Sequence, residues 1–536
     1  MKKLVGFLAA TILISSLFVP FVLAEEKTLI VGVPTLLNSL DFEQPTLTGG
    51  QIISLMRDKG LRWKEQPYPF DESLAANNVF YPDFTIQTAD AVEGRLIESF
   101  HVQDDAKSAT FRLRKGVTSQ WGNELTTQDV LYTLERAKAL NGFQAFLWGT
   151  AGITGPENLN IIDEYNYEIH LDSPNGLIAL INCHSWTSFI DSTAAKQHAT
   201  ENDPYATEWV SRNNCGFSPY ELLEWRAGQY MTWKAREDWW AGKPDIDIIM
   251  LREIPESSNR VAMLEAGTID MALNLDPDEL NYLKTVDGVD VWNILTANST
   301  WIFLDCEDEI FDDPVVRQAM IYALPAEEIA RDVYKGYGTP MRSQVPAMIP
   351  GSSDYWPYEY DLEKAKQLIT DAGYPDGFTC EIGYDNSNPM DEAICVAYQA
   401  SLEKIGITLK LKSTMLATLT EQKYAKELQI CMETGLPVQP DINFGCSLYF
   451  KPGGSNNFGK YDNPTVAEML NIGAGILDYG ERVAYHEEIQ KILVDEVCAV
   501  PVVSTNLQIA KRDYVGGRLV YDTVNDFYWD LLDINK

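Results

Sequence analysis

Along most of the chain, β-branched runs alternate with helices that signal their own starts, and this alternation restricts the fold to a mixed α/β class. Leu29-Ile-Val-Gly-Val33, ended by Pro34, predicts a buried strand. In Ala109-Thr-Phe-Arg-Leu-Arg114 the alternation predicts a half-exposed strand with Phe111 and Leu113 inward. A helix should follow: Thr126 and Asp129 have capping spacing, Leu125 can act as a staple, and Val130, Leu131, Leu134 and Ala137 share a face. Asp313-Pro314 predicts a helix over Val315–Ala323, and Asp361 one over Leu362–Ala372 closed by Gly373. A helix near Ala393–Leu402 leads into a predicted strand at Ile405-Gly-Ile-Thr-Leu-Lys-Leu411.

Composition narrows the function classes. At about 100–200 residues per domain, 536 residues allow roughly three domains. With 42 Lys+Arg against 78 Asp+Glu and no basic cluster, nucleic acid is excluded as a partner. Aromatic residues make up 11% and include 13 Trp, enough for sizeable cores.

Residues 1–24, with Lys2 and Lys3, an apolar stretch from Leu4, a breaker at Pro20 and Val22-Leu23-Ala24 before two acids, predict a secretory signal peptide. Leu4–Ala24 is also just long enough for an uncleaved anchor. No Cys follows the cleavage site, so a lipid anchor is not expected, and the expected location is the periplasm. Export permits disulfides among the eight cysteines. Cys183/Cys215 and Cys431/Cys446 are pairs that could close loops, while buried free thiols are the alternative. No C-x-x-C occurs and no histidine lies at zinc spacing, so neither a metal nor a cofactor is expected.

The catalytic signatures G-x-S-x-G, H-E-x-x-H and the phosphate-binding G-x-x-x-x-G-K-[ST] are absent, as is a dinucleotide fingerprint after the first strand. Among 78 acids some pair could always be drawn as a glycosidase site, so such a pair carries no information. An enzyme is not expected.

Six segments occur in an order with a family meaning: Leu96-Ile-Glu-Ser-Phe100 with Ala109–Val117 and Gly122–Val130; Cys215-Gly-Phe-Ser-Pro-Tyr220 with Trp225 and Asp238–Pro244; Leu264–Asp270; Phe311–Ala319; Tyr360–Lys366 with Ala372–Gly377; and Phe458-Gly-Lys-Tyr-Asp-Asn-Pro464. Together they resemble the family 5 solute-binding proteins of ABC transporters, the peptide/nickel-binding class. The resemblance implies a two-lobed periplasmic-binding-protein fold with two hinge crossings and a subdomain inserted in lobe I. Carried onto this chain, lobe I is 25–70, 205–298 and 506–536, the insert 71–204, and lobe II 299–505. It also implies a monomer that captures a short peptide or similar small polar solute between its lobes and delivers it to an ABC permease and ATPase complex. A non-peptide cationic solute or metal chelate is the alternative ligand, and a peptide-holding chaperone or a secreted hydrolase the alternative functions.

In that family the ligand meets loops that here correspond to Asn38–Thr48, Cys183–Trp186, Thr434–Asp441 and Gly453–Phe458. Trp186 is the expected stacking wall and His184 a donor, with Trp148 and Trp121 as further walls. Thr434, Gly435, Gln439, Ser455, Asn456 and Asn457 complete the expected ligand-binding set. Each has an ordinary reading too, as core packing or turn chemistry. Peptide binders of the family place an acid ahead of a D-P element, whereas here the acid is missing near Leu436 and Pro437 and the dipeptide is inverted to Pro440-Asp441. Asp441 is the expected substitute counter-ion for a cationic solute, and its replacement by Asn is expected to weaken binding without harming the fold. Gly216, Pro219, Arg317 and the glycines of Ala372–Gly377 are expected to be structural.

Overall fold

The computed structural model describes residues 26–43, 53–67, 69, 72–76, 79–82, 91–435, 439–454, 456–520 and 528–536. The predicted signal segment and Ser455 lie outside the described residues. No described helix is long and apolar enough to cross a membrane.

Eleven strands build one sheet. In chain order they are β1 (Thr28–Val33), β2 (Tyr220–Arg226), β3 (Tyr230–Ala235), β4 (Ile248–Glu253), β5 (Met271–Leu273), β6 (Val289–Leu304), β7 (Gly338–Pro340), β8 (Thr379–Asp385), β9 (Thr408–Thr414), β10 (Ile430–Gly435) and β11 (Ala499–Arg512). Their spatial order is β2-β3-β4-β1-β5-β11-β6-β10-β8-β9, with β7 added alongside β11. Parallel pairs β1/β4, β1/β5, β8/β9 and β8/β10 flank an antiparallel centre.

The two longest strands connect the halves of this sheet. Val289–Leu295 of β6 pairs with Asn506–Arg512 of β11, beside β5; Ser299–Leu304 of β6 pairs with β10. Between these stretches Thr296, Ala297 and Asn298 face the single residue Thr505, a break in register. Side chains bridge the gap: Thr296 Oγ1 donates to the Thr505 carbonyl at 2.8 Å, Asn298 Nδ2 to Thr505 Oγ1 at 2.8 Å, and the Ser299 and Ser504 hydroxyls meet at 3.0 Å. Smaller apolar clusters lie to each side, Ile302, Phe311, Ile382, Tyr398 and Val500 among those of one, while the largest cluster runs past the break in register, through Ile294, Ala297, Trp301 and Phe303.

The helices start where the local signals put them. Helix α1 (Thr127–Leu140) opens on the Thr126/Asp129 capping box, with Val130, Leu134 and Ala137 buried and Leu131 half-buried. Helix α2 (Phe143–Thr150) follows with Gly142 at its cap. Nearby in sequence lies an antiparallel four-stranded sheet, Ile97–Val102, Ser108–Leu113, Asn166–His170 and Leu159–Ile161, in which Phe111 and Leu113 are buried. Asp313 caps Pro314–Tyr322, and Asp361 caps Leu362–Asp371. The strand expected from Ile405 begins three residues later, at Thr408, because Gly406 turns the chain at φ +94° and its carbonyl presses on Gly377.

All eight cysteines are free thiols and seven are buried, so neither expected loop-closing pair is formed. Burial pushes their thiols above the ordinary range, Cys215 and Cys431 up to about 12. The residues expected to be structural are: Arg317 Nε and Nη1 bind the carbonyls of Phe311, Asp312, Glu496 and Val497, and Arg57 packs against Gly216.

Candidate functional site

The loop leaving β1 turns back on itself and buries charge. Asp41 accepts both Arg136 Nη1 at 2.8 Å and Nη2 at 2.5 Å, and the pair is 0–1% exposed. Arg136 Nε donates to the Tyr205 carbonyl at 3.1 Å, so α1 clamps the loop onto the insert. Next in sequence, the Phe42 ring takes the Arg57 guanidinium at 3.9 Å on one side and lies 5.2 Å from the Trp186 ring. Phe143 meets Trp186 edge-on at 4.8 Å. Trp186 is 7% exposed and packs among aromatic rings between the β1 loop and α2.

Glu43 continues the loop under this wall. Its carboxylate is buried, and neither oxygen has a hydrogen-bond partner among the described residues. It lies at the start of α2, where Gly142 offers no capping side chain. A Cβ on Gly142 would sit 2.2 Å from the Glu43 carbonyl oxygen and 2.6 Å from Oε2, so only glycine lets the loop come this close. The Ala145 amide is near enough to favour the charged form weakly, yet short of a hydrogen bond.

Burial pushes the Glu43 carboxyl up to about 7; Arg136 draws it down and Asp41 pushes it further up. An unfolded carboxyl here titrates near 4.5, so the folded state binds the extra proton between about pH 4.5 and 7. Stability is full below that window and falls as pH rises through it, by about 3 kcal/mol. Glu43→Gln should remove that fall from a urea-denaturation series between pH 4.5 and 8. Asp391, raised to about 7 by burial beside Asp385, contributes a further fall that the variant leaves in place.

The other expected site residues are placed as follows. His184 is buried one turn before Trp186, its Nδ1 accepting from the Trp186 amide at 3.4 Å. Trp148 is buried on α2, which packs against the Trp186 turn, and its indole N–H has no partner among the described residues. Trp121 stands apart, 43% exposed, with its N–H on the Asn214 carbonyl and its ring 5.2 Å from Trp209. A cleft wall at Trp121 is thereby corrected to a surface aromatic pair.

In the second lobe Thr434 and Gly435 end β10: Thr434 Oγ1 meets Thr300 Oγ1 at 2.9 Å, and the Tyr449 hydroxyl packs over Gly435. Gln439 is 2% exposed and its amide nitrogen has no partner among the described residues. Asn457 is committed to its own turn, donating to the Tyr461 carbonyl at 2.7 Å and accepting from the Tyr461 amide at 2.9 Å. Asn456 is half-buried in the same turn.

Asp441 needs the largest correction. It caps the helix Ile442–Phe450 through the Phe444 amide at 2.8 Å, and its other oxygen meets Arg482 Nη2 at 2.5 Å. The cation expected from a solute is supplied by the protein itself. Arg482 also touches Gly176 of the insert, whose amide donates to the Ala474 carbonyl at 3.4 Å, so the two lobes meet here. Sequence reading named the β1 loop as a whole but missed Asp41, Glu43, Arg57 and Arg136 as a cluster, and it missed Arg482. The one available signal was three charges, Asp41, Glu43 and Arg57, in an otherwise uncharged stretch.

Residues 91–457 match the model of the bacterial extracellular solute-binding proteins, family 5 Middle. The chain belongs to this family. It is 27% identical over 431 residues to heme-binding protein A of Haemophilus influenzae, covering 77% of this chain and 78% of that protein. Against the probable D,D-dipeptide-binding periplasmic protein DdpA of Escherichia coli the identity is 26% over 433 residues, covering 80% and 82%. Both relatives are named as binding proteins. The ABC transporter-associated periplasmic binding protein DppA from Helicobacter pylori, solved with the peptide STSA, superposes with a TM-score of 0.79 at 22% identity over 95% of this chain and 99% of that one. This likeness establishes the two-lobed fold with its hinge crossings. Among the described residues no group of three or more His, Cys, Asp or Glu is arranged to hold a metal ion.

Proposed function

We propose that this family 5 protein is the solute receptor of an ABC importer, taking a short peptide or similar small polar solute between its lobes and passing it to the permease and ATPase complex. The observation that carries this reading is the seam at Thr296–Asn298 and Thr505: where β6 and β11 pass between the halves of the sheet, side-chain hydrogen bonds replace regular pairing. Regular pairing is already broken there, so a bend at this point costs the fewest ladder hydrogen bonds, and closure around a solute puts its polar contacts in a dry site. In this reading residues 1–24 direct export and are removed, the mature monomer diffuses in the periplasm, and Trp186, His184, Gln439, Thr434 and Gly435 face the solute. The names of the relatives, for heme and D,D-dipeptides, and the peptide held by the solved neighbour agree with a cleft adaptable to several small ligands.

A non-peptide solute is the second reading, and Arg482 favours it. With Asp441 already neutralised, the second lobe has no spare acid at that point for an α-amino group. Mass spectrometry of the solute released from purified protein distinguishes the two. Small-angle scattering should show a smaller radius of gyration when that solute is returned; an unchanged radius with the solute bound would sink the closing receptor. Products appearing from di- and tripeptides would point to a hydrolase.

A further inference from the structure

Two buried charges of opposite sign in the first lobe stand close to each other and are not bonded. Asp41 and Arg136 satisfy one another. Glu43 is left with both oxygens unpartnered at 7% exposure, and Arg57 with Nη1 unpartnered at 1% exposure, among the described residues. The Arg57 guanidinium lies 3.9 Å over the ring of Phe42, the residue next to Glu43, so both charges border one site, yet among the described residues no ion pair forms between them. Burial holds Glu43 up near 7 and Arg57 down near 10, each in the direction that loss of water gives a charged group. Phe42, Trp186 and Phe143 wall the site with apolar surface.

A buried charge without a partner costs several kcal/mol, and two of them side by side are retained most simply when something else completes them. A lone cation would leave Arg57 facing like charge, and a lone anion would do the same to Glu43. Only a solute with both signs satisfies the two together. We propose that Glu43 and Arg57 are the specificity-determining pair of this receptor, Glu43 accepting an ammonium and Arg57 donating to a carboxylate of a zwitterionic solute, an amino acid or short peptide. This rests on the receptor reading above, and it moves charge recognition from Asp441 in the second lobe to the β1 loop and its neighbour in the first.

The test is titration calorimetry on full-length mature protein, freed of solute by partial unfolding and refolding, with alanyl-alanine, N-acetyl-alanyl-alanine and alanyl-alaninamide as probes and a panel of amino acids, neutral sugars and dicarboxylates beside them. Alanyl-alanine or an amino acid should bind, and blocking either charged end should weaken binding 10- to 100-fold, the scale of one charged hydrogen bond. Glu43→Gln, nearly isosteric, should lose affinity for the zwitterion by the same factor while the amine-blocked probe is unaffected. The wild-type Kd should fall as Glu43 ionises between pH 6 and 8, with Asp41, Arg136 and Arg57 as the charges facing it, and the variant should lose that slope. Arg57→Lys keeps the charge and should retain part of the carboxylate preference. If Glu43→Gln binds the zwitterion as tightly as wild type, with the same pH slope, the gap holds water only and the proposal falls. Binding of a sugar or dicarboxylate but no zwitterion overturns the proposal and leaves the receptor standing. Binding of nothing, with the refolded protein intact by circular dichroism, overturns both.

Discussion

Asp441→Ala should destabilise the protein by about 3–5 kcal/mol, the cost of stranding a buried charge. Arg482 and Asp441 have side chains only 7% and 4% exposed, and after the substitution Arg482 would keep just its contact with the Ile476 carbonyl at 3.2 Å. The cap on Ile442–Phe450 is lost as well, a further contribution of about 1 kcal/mol. Asp441→Asn retains an acceptor for the Phe444 amide and should lose mainly the ion pair. Urea denaturation at pH 7 measures each, and in the double variant Asp441→Ala/Arg482→Ala the loss should be smaller than the sum of the singles. A loss below about 1 kcal/mol for Asp441→Ala would show that the pair is screened as surface pairs are. This reverses the expectation from sequence, in which Asp441 was solvated in an open cleft and dispensable to the fold.

Asp41→Ala should cost a similar amount, about 3–5 kcal/mol, for the same reason with a tighter geometry. Its two contacts to Arg136 are bidentate, and the alanine variant would leave Arg136 and Arg57 as two buried cations beside Glu43. Raising the pH should then recover part of the loss, because Glu43 ionises more readily beside two uncompensated cations. A paired apolar replacement, Asp41→Leu with Arg136→Met, should recover part of it, since a well-packed apolar pair avoids the desolvation of both charges. Denaturation curves at pH 5 and 8 for the three variants check this. If Asp41→Ala and the paired variant are equally unstable, the loss comes from loop packing and the charge argument fails.

Helix starts were legible in the sequence because a cap is a short-range bond. Thr126 with Asp129, Asp313 ahead of Pro314, and Asp361 each satisfy amides two or three residues away, so composition and spacing carry the whole signal. Strand interiors such as Leu29–Val33 were legible from their apolar run. The start at Thr408 was not, since the turn at Gly406 is set by the approach of Gly377 from another element. Membership of family 5 was legible for a different reason: six ordered segments spread along the chain are specific together, and the match over residues 91–457 agrees.

The site divides along the same line. That Trp186 is buried among other rings could be anticipated from its size and apolar surface. Which charges are spent and which remain depends on pairs formed between distant segments, Asp41 with Arg136 and Asp441 with Arg482. Nothing in the spacing of these residues encodes that pairing. The sequence by itself determined the α/β class, the capped helices and the family, all of which rest on contacts a few residues long or on motifs summed along the chain. Only the tertiary structure decided that Asp441 is already neutralised while Glu43 and Arg57 are not, because a buried charge is free or satisfied according to what the fold brings within hydrogen-bond distance of it.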